Sequence, residues 1–435
     1  MSCFKFDTYE FDYTSYTADF RYTGANGQPF CETIHFAKPD TPIPTDDRNF
    51  IWLLDSALKL AFYLIGTSYY KSRPTKKVQS FGLDEKQAKF FSTVYQDGLS
   101  QFAFENNLTR ADLATFAADS PAALAEIKAL KKREIGNKKF PELTDFTDSN
   151  LILQSGGKDS LLNSELQKDT PHTFWYLSTS KFHPAMLDAL NAPLQIANRH
   201  IDLSGLRKSR GLNGHVPITY IVMSLALIQA ILNRQKTVLT SVGQEGNESH
   251  AIIRDKKAGD LPVNHQWSKT AQAEKLFRDY IHQYISPDLD VYSPLREFTE
   301  LKVAKLFAEK CWKKYGHEFS SCNTANYSQG TNNSELKWCG DCAKCANSYL
   351  LFAPFIPRKK LDDLFGGQSL FNNPELYDDF KGLLGIDDHI KPFECIGEID
   401  ELRYAYHHRL PDYPELPFEV PQAPDFNINR KPKKN

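Results

Sequence analysis

Between Phe4 and Phe36 polar and apolar residues alternate. Phe4-Lys5-Phe6-Asp7 onward to Tyr13, then Ala18-Asp19-Phe20-Arg21-Tyr22, then Phe30 to Phe36 each place alternate side chains on one face. Gly24-Ala25-Asn26-Gly27 supplies a turn, so the stretch reads as a small antiparallel meander. Beyond the prolines from Pro39 to Pro44 the period lengthens, and Thr45 can cap a helix through Ile51-Trp52-Leu53-Leu54 to Ile65. A further helix is expected from Asp84 to Asn106, and Ser120-Pro121 offers an N-cap and first-turn proline to a helix over 122–133.

From Asn150 short apolar segments alternate with helical ones, which predicts a doubly wound parallel sheet in an α/β fold. The strands are expected at Leu151–Gln154, Thr173–Leu177, Gln195–Asp202 and Thr237–Ser241. The charge-free run Val216–Leu232 approaches the length of a membrane span. Its Pro217, Thr219, Ser224 and Gln229, without a basic flank ahead of it, mark it instead as a helix buried against the sheet. Residues 350–401 read as mostly helical. The prolines at 411, 414, 417, 421 and 424, closed by Arg430-Lys431-Pro432-Lys433-Lys434, read as an extended, partly disordered tail. Four regions result: a meander with helices (1–145), an α/β body (146–350), a helical region (351–410) and the tail (411–435).

Charge narrows the partners. Lys plus Arg total 52 and Asp plus Glu 54, a net charge of −2, so no global field favours nucleic acid or an anionic membrane, and neither is expected as a partner. Met1-Ser2-Cys3-Phe4-Lys5-Phe6-Asp7 has no export pattern, which points to the cytoplasm, where clustered cysteines serve metals or catalysis rather than disulfides. Trp338-Cys339-Gly340-Asp341-Cys342-Ala343-Lys344-Cys345 places three thiols at x₂ spacing, and Cys322 lies upstream. Four thiolates fit a closed tetrahedral Zn²⁺ site, and an iron–sulfur cluster is the alternative for the same spacing.

The sharpest motif is Leu151-Ile152-Leu153-Gln154-Ser155-Gly156-Gly157-Lys158-Asp159-Ser160-Leu161-Leu162, an apolar strand, a glycine pair and a helix start. Glycines let successive N–H groups converge, and a helix N-terminus favours an anion. Ser155 and Ser160 can donate to phosphate oxygens, Lys158 offers charge, and Asp159 could hold Mg²⁺ or orient the loop. The spacing is neither a Walker A loop nor a dinucleotide fingerprint.

The strand-Ser-Gly-Gly-x-Asp-Ser-helix pattern resembles the PP-loop of the ATP pyrophosphatase superfamily. That resemblance implies ATP held by Ser155, Gly156, Gly157, Lys158, Asp159 and Ser160, pyrophosphate release, and transfer of AMP to a substrate oxygen. A PP-loop beside a four-cysteine site is similar to the 7-cyano-7-deazaguanine synthases, where the metal is zinc, so a ligase or amidating enzyme is the alternative function.

More of the chain resembles the ATP-dependent epimerases acting on UDP-N-acetylmuramoyl-L-alanyl-L-glutamate in peptidoglycan synthesis. The matching pieces, in order, are Gly66-Thr67-Ser68-Tyr69-Tyr70-Lys71, the glycine loop, Gly214-His215-Val216-Pro217, Asn264-His265-Gln266-Trp267-Ser268-Lys269, Ser293-Pro294-Leu295-Arg296, the cysteine cluster, and Lys391-Pro392-Phe393-Glu394-Cys395-Ile396-Gly397-Glu398. Gly246-Asn247-Glu248-Ser249-His250 is offset from the family's Asn-Glu-x-Ser loop, which leaves Glu248 without a role.

This resemblance implies inversion of the terminal glutamate of a small UDP-muramyl-dipeptide through an acyl adenylate, with ATP and Mg²⁺ consumed as AMP and pyrophosphate, and a structural Zn²⁺. Deprotonating Cα beside a carboxylate builds a second negative charge, and an acyl adenylate removes the first. Proton transfer then falls to His265, Cys395, His215 and Glu394 as candidates. Lys71, Lys269, Arg296 and Lys391 are candidate anion contacts, Arg296 foremost because a guanidinium can clamp through two bonds.

Overall fold

The computed structural model describes residues 3–180, 182–257, 259–327 and 334–431. Its strands are β1 (Phe4–Asp12), β2 (Thr17–Thr23), β3 (Pro29–His35), β4 (Val78–Gln79), β5 (Thr147–Leu153), β6 (His172–Ser178), β7 (Leu194–His200), β8 (Gln235–Leu239), β9 (Ala251–Ile253), β10 (Leu261–Val263) and β11 (Asp290–Tyr292). Strands β9 and β10 pair alone, and the other nine form one mixed sheet in the order β11-β8-β5-β6-β7-β3-β2-β1-β4. The four strands expected after Asn150 are β5 to β8, each parallel to its neighbours within that set. β11 extends them parallel to β8; at three residues it is too short to show a period.

The sheet grows from β5 in both directions, to β6 and β7 on one side and to β8 and β11 on the other. The carboxyl ends of β5 and β8 therefore flank a topological switch point, the place where open α/β sheets bind ligands.

The N-terminal meander forms as expected, and it also continues the parallel sheet. β3 runs antiparallel to β7, with Thr33 opposite His200 and Ile34 opposite Arg199. This join has a buried ion pair at its centre. Arg199 Nε donates to Glu32 at 2.7 Å, Arg199 Nη2 donates to Ser68 Oγ at 3.0 Å, and Tyr69 donates to Glu32 at 2.8 Å.

Helix starts differ in detail from the pattern. Asp47, not Thr45, caps the helix Arg48–Ile65, accepting from the N–H groups of Asn49 and Phe50. By length and composition the stretch Arg48–Tyr70 could cross a bilayer, yet most of it is buried within the protein. It packs against Ile218–Leu232, which is the buried helix expected from its lack of charge. The helix expected over 84–106 is two, Glu85–Asp97 and Ser100–Glu105. At the break a Cβ on Gly98 would lie 3.1 Å from Pro217 and from the Trp267 ring, so the chain bends where those two residues crowd it.

A second core surrounds the helix Ala343–Phe352 and takes in Leu301, Phe307, Leu383 and Leu402. The proline-rich tail is packed as far as Phe426, with Arg430 paired to Glu398 beyond it. Tyr413, Leu416, Val420 and Phe426 are buried between or beside its prolines, and Tyr413 donates to the Ile356 carbonyl at 2.7 Å. Residues 432–435, part of the basic end, lie outside the described residues.

Removing one partner of a buried, fully bonded ion pair strands the other. Glu32→Ala is expected to cost about 3–5 kcal/mol in urea unfolding, because Arg199 is left charged at the β3–β7 join.

Candidate active site

The turn from β5 into the helix Lys158–Leu166 requires glycine, since Gly156 has φ 78°. Gly157 caps the helix without a side-chain hydrogen bond, which leaves the first-turn N–H groups available to an anion. Ser155 Oγ and Ser160 Oγ lie 3.2 Å apart at this turn. Lys158 is engaged beneath the loop: its ammonium donates to Glu300 at 2.6 Å and to Asp159 at 3.0 Å. Burial opposes that charge, but Asp159 and Glu300 together hold it well above the usual lysine range. Leu336 and Ser321 flank the glycines, at 2.4 Å and 3.6 Å from the positions of Cβ atoms built on Gly156 and Gly157.

Ser321 leads into the cysteines. The Sγ atoms of Cys322, Cys339, Cys342 and Cys345 all lie within 4.8 Å of one another, and could hold a metal such as zinc. Individual separations are 3.5 Å (Cys322–Cys339), 3.7 Å (Cys322–Cys342), 3.7 Å (Cys339–Cys345) and 3.6 Å (Cys342–Cys345). Backbone N–H groups of Ala325 and Gly340 point at Cys322 and Cys345 sulfurs, at 3.4 and 3.3 Å, as they do around thiolate ligands. Asn326 and Lys337 pair in both directions, by side chain and backbone, and so tie the Cys322 segment to the one carrying Cys339.

Residues beside the metal ligands hold the segment 394–397. Asn323 donates to Glu394 at 2.8 Å, Asn347 accepts from the Gly397 N–H at 3.0 Å, and Lys344 donates to the Cys395 carbonyl. From the other side Gln266 donates to the Ile396 carbonyl at 3.1 Å.

The half-buried Cys395 thiol lies beside His265. Burial resists its ionisation, yet Lys269, His265 and Lys344 outweigh it and hold the thiol well below the usual cysteine range. His265 is itself oriented: its Nδ1 lies 2.6 Å from Gln101 Oε1, while Gln101 Nε2 donates to Glu105 at 2.6 Å. Because the amide nitrogen is committed to a carboxylate, the Gln101 oxygen faces the ring, so Nδ1 carries the proton and Nε2 is left for the thiol.

His215 stacks near His265 at 4.3 Å between centroids, with His250 at 6.2 Å. Burial, then His265, Lys71 and Lys269, drive His215 down to about 3; burial, Lys391 and His265 do the same to His250. Both rings are therefore neutral near pH 7. Lys71 donates to the Gly214 carbonyl at 2.8 Å, and burial and Arg199 lower it to about 8.

The residues singled out in the sequence thus separate. Cys395, His265, His215, Lys269 and Lys71 converge. Glu394 turns to Asn323. Lys391 is buried against Glu248, which also accepts from the Ile399 N–H. Arg296 is spent internally, on the carbonyls of Gly243 and Lys269 at 2.6 and 2.8 Å and on Glu274 at 2.9 Å. Gln101, Glu105 and Lys344 carry no signal of their own in the sequence. Gln101 and Glu105 stand 4 apart, on one helical face, and that spacing is the single trace of their pairing.

Comparison with known proteins decides the family. Residues 1–294 match the model of the MurL N-terminal domain and residues 318–415 that of the MurL C-terminal domain. The chain belongs to the MurL family. A relative from Salinispora tropica, named UDP-N-acetyl-alpha-D-muramoyl-L-alanyl-L-glutamate epimerase, is 32% identical over 92% of this chain and 83% of its own. One of the same name from Xanthomonas oryzae pv. oryzae is 31% identical over 93% and 85%. The MurL N-terminal match spans the whole sheet, and the C-terminal match spans the four thiols and Cys395, so the candidate site is built by both.

Elemental analysis should find one metal atom per chain. Cys342→Ser is expected to lose it and unfold at lower urea, whereas Asp159→Ala should retain both metal and stability. Iodoacetamide alkylation of Cys395, followed by peptide mapping, should slow far less steeply from pH 8 to 6 than an unperturbed thiol would. An ordinary thiol of pKa near 8.5 would slow roughly 80-fold, and His265→Ala should steepen the profile toward that behaviour.

Proposed function

We propose that this protein inverts the terminal L-glutamate of UDP-N-acetylmuramoyl-L-alanyl-L-glutamate to D-glutamate, as an amino-acid epimerase of peptidoglycan precursor synthesis. The observation that carries the reading is the Cys395 thiol beside His265 and between two lysines, in a chain whose relatives bear that epimerase name.

The glycine loop resembles a PP-loop, and Ser155 to Ser160 would hold ATP, with Asp159 as the carboxylate for Mg²⁺. ATP would supply activation of the glutamate carboxylate as an acyl adenylate, which makes Cα acidic. The chain's own groups then move the proton. Cys395, its thiol held well below the usual cysteine range, is the base at Cα. His265 accepts and returns protons through Nε2 while Gln101 keeps Nδ1–H in place. Lys269 and Lys71 supply the positive field for the negative charge that develops. His215 and His250, neutral and packed around His265, exclude water without adding a competing charge.

The metal reading is structural Zn²⁺. Four ligands at about 2.3 Å from one ion stand about 3.8 Å apart at a tetrahedron's edges. The separations of 3.5–3.7 Å support a single ion over a cluster, whose cysteines ligate different irons.

With ATP, Mg²⁺ and the UDP-muramyl-dipeptide in deuterated water, D-glutamate bearing one Cα deuteron should form alongside AMP and pyrophosphate. Absence of D-glutamate would sink the epimerase reading. Cys395→Ser should lose about 10²–10⁴-fold in inversion while still releasing AMP; wild-type inversion in that variant would remove the thiol from the chemistry.

A further inference from the structure

Two adjoining cavities lead away from the histidines along the carboxyl end of β7. The inner one, about 490 Å³, has Lys71 and His215 at one end and Leu203, Leu206 and Leu212 along its wall. The outer one, about 550 Å³, lies between the segment Ser72–Thr75 and the β2–β3 turn at Ala25-Asn26. They share Gly211 and Leu212, and the divide between them is backbone against backbone. The Leu212 N–H donates to the Ser72 carbonyl at 2.9 Å, and a Cβ on Gly211 would fall 1.8 Å from that same oxygen. A residue without a side chain is required for the two loops to close to that distance.

The charges lining this groove are of one sign. Lys71 and Arg207 border the inner cavity, Arg73 and Arg210 the outer, and no Asp or Glu lines either. Among the described residues none of these four makes an ion pair, although Glu105 lies near enough to Lys71 to be felt electrostatically. Arg199 also borders the inner cavity, but Glu32 neutralises it. Lys71 is half-buried and donates to the Gly214 carbonyl, while Arg73, Arg207 and Arg210 are exposed along the groove. Four unpaired cations around one concave groove, in a protein of net charge −2, make a local anion site against the overall balance. The mouth is apolar as well: Leu203, Leu212 and Ile218 are 45%, 40% and 40% exposed.

We infer that this groove binds the nucleotide end of the substrate, with Arg73, Arg207 and Arg210 on a nucleoside diphosphate and the apolar mouth on the methyl-bearing muramoyl-alanyl link. The inference rests on the epimerase reading above. Its argument is one of order. Outward from Cys395 and His265 the protein presents His215 with Lys71, then the inner cavity with its leucines and Arg207, then the outer cavity with Arg73 and Arg210. The substrate presents its activated carboxylate, Cα, the alanyl and lactyl methyls, the diphosphate and the uridine. The two sequences run in the same direction, so a molecule with its Cα at the thiol extends its diphosphate into the outer cavity.

The test uses UDP, the complete nucleotide substrate, and N-acetylmuramoyl-L-alanyl-L-glutamate lacking UDP. Calorimetry should show UDP binding to the wild-type protein, and binding weakened about tenfold or more in the Arg73→Ala/Arg210→Ala double variant, as expected for lost charge-assisted contacts. In turnover the double variant should raise KM for the nucleotide substrate at least ten times more than KM for the truncated one. Equal UDP affinity in both proteins, or equal KM changes for both substrates, would overturn the groove assignment. If the wild type inverts neither substrate the epimerase reading fails, and UDP calorimetry still decides whether the groove takes a nucleoside diphosphate.

Discussion

Four cysteine sulfurs held 3.5–3.7 Å from their neighbours cannot all be thiolates without a cation between them. Each adjacent pair of full charges would repel by about 4–5 kcal/mol even at an effective dielectric near 20. A bound metal converts that repulsion into the tie that fixes this part of the molecule, and the candidate site is attached to it on two sides. Ser321, next to Cys322, lies against Gly157 of the glycine loop. Asn323, Lys344 and Asn347, on the segments that carry the ligands, hold Glu394, the Cys395 carbonyl and Gly397. The spacing between the glycine turn and Cys395 is therefore set through the cysteine knuckle, where a metal such as zinc could be held.

The other half of the site depends on the sheet. β3 pairing with β7 brings the N-terminal meander and its helices alongside the carboxyl ends of the parallel strands. Glu32 neutralises Arg199 at that join, so Lys71 and Arg207 are the basic groups left to face the inner cavity. The helix break at Gly98 matters in the same way. It frees Ser100–Glu105 to run at its own angle, and so brings Gln101 to His265 across 164 residues of sequence.

How much could be read in advance follows from how local each signal is. The strand-glycine-helix turn, the x₂ cysteine spacing and the charge-free helix are written in adjacent residues, and all three stand where the pattern put them. The β3–β7 join was not legible, because Glu32 and Arg199 are 167 residues apart and each looks like an ordinary strand residue. Arg296 illustrates a related point: a guanidinium that could clamp a ligand is equally able to clamp carbonyls, and Gly243, Lys269 and Glu274 take three of its donors. Lys391 likewise meets Glu248, a carboxylate 143 residues away whose role the offset loop had left open. In the tail the prolines are the visible signal, while the packing comes from four apolar side chains spread between them, Tyr413, Leu416, Val420 and Phe426.

The electrostatics of the cluster follow from where charge is allowed. Three imidazoles lie together, His215 and His250 at 4.3 and 6.2 Å from His265, and burial and the surrounding lysines keep His215 and His250 neutral. Positive charge is thereby left to the ammonium groups, of which Lys71 is lowered to about 8. On the proposed reading, a carbanion at Cα would meet that positive field and the single imidazole held by Gln101, so that its proton would come from a defined donor rather than from water.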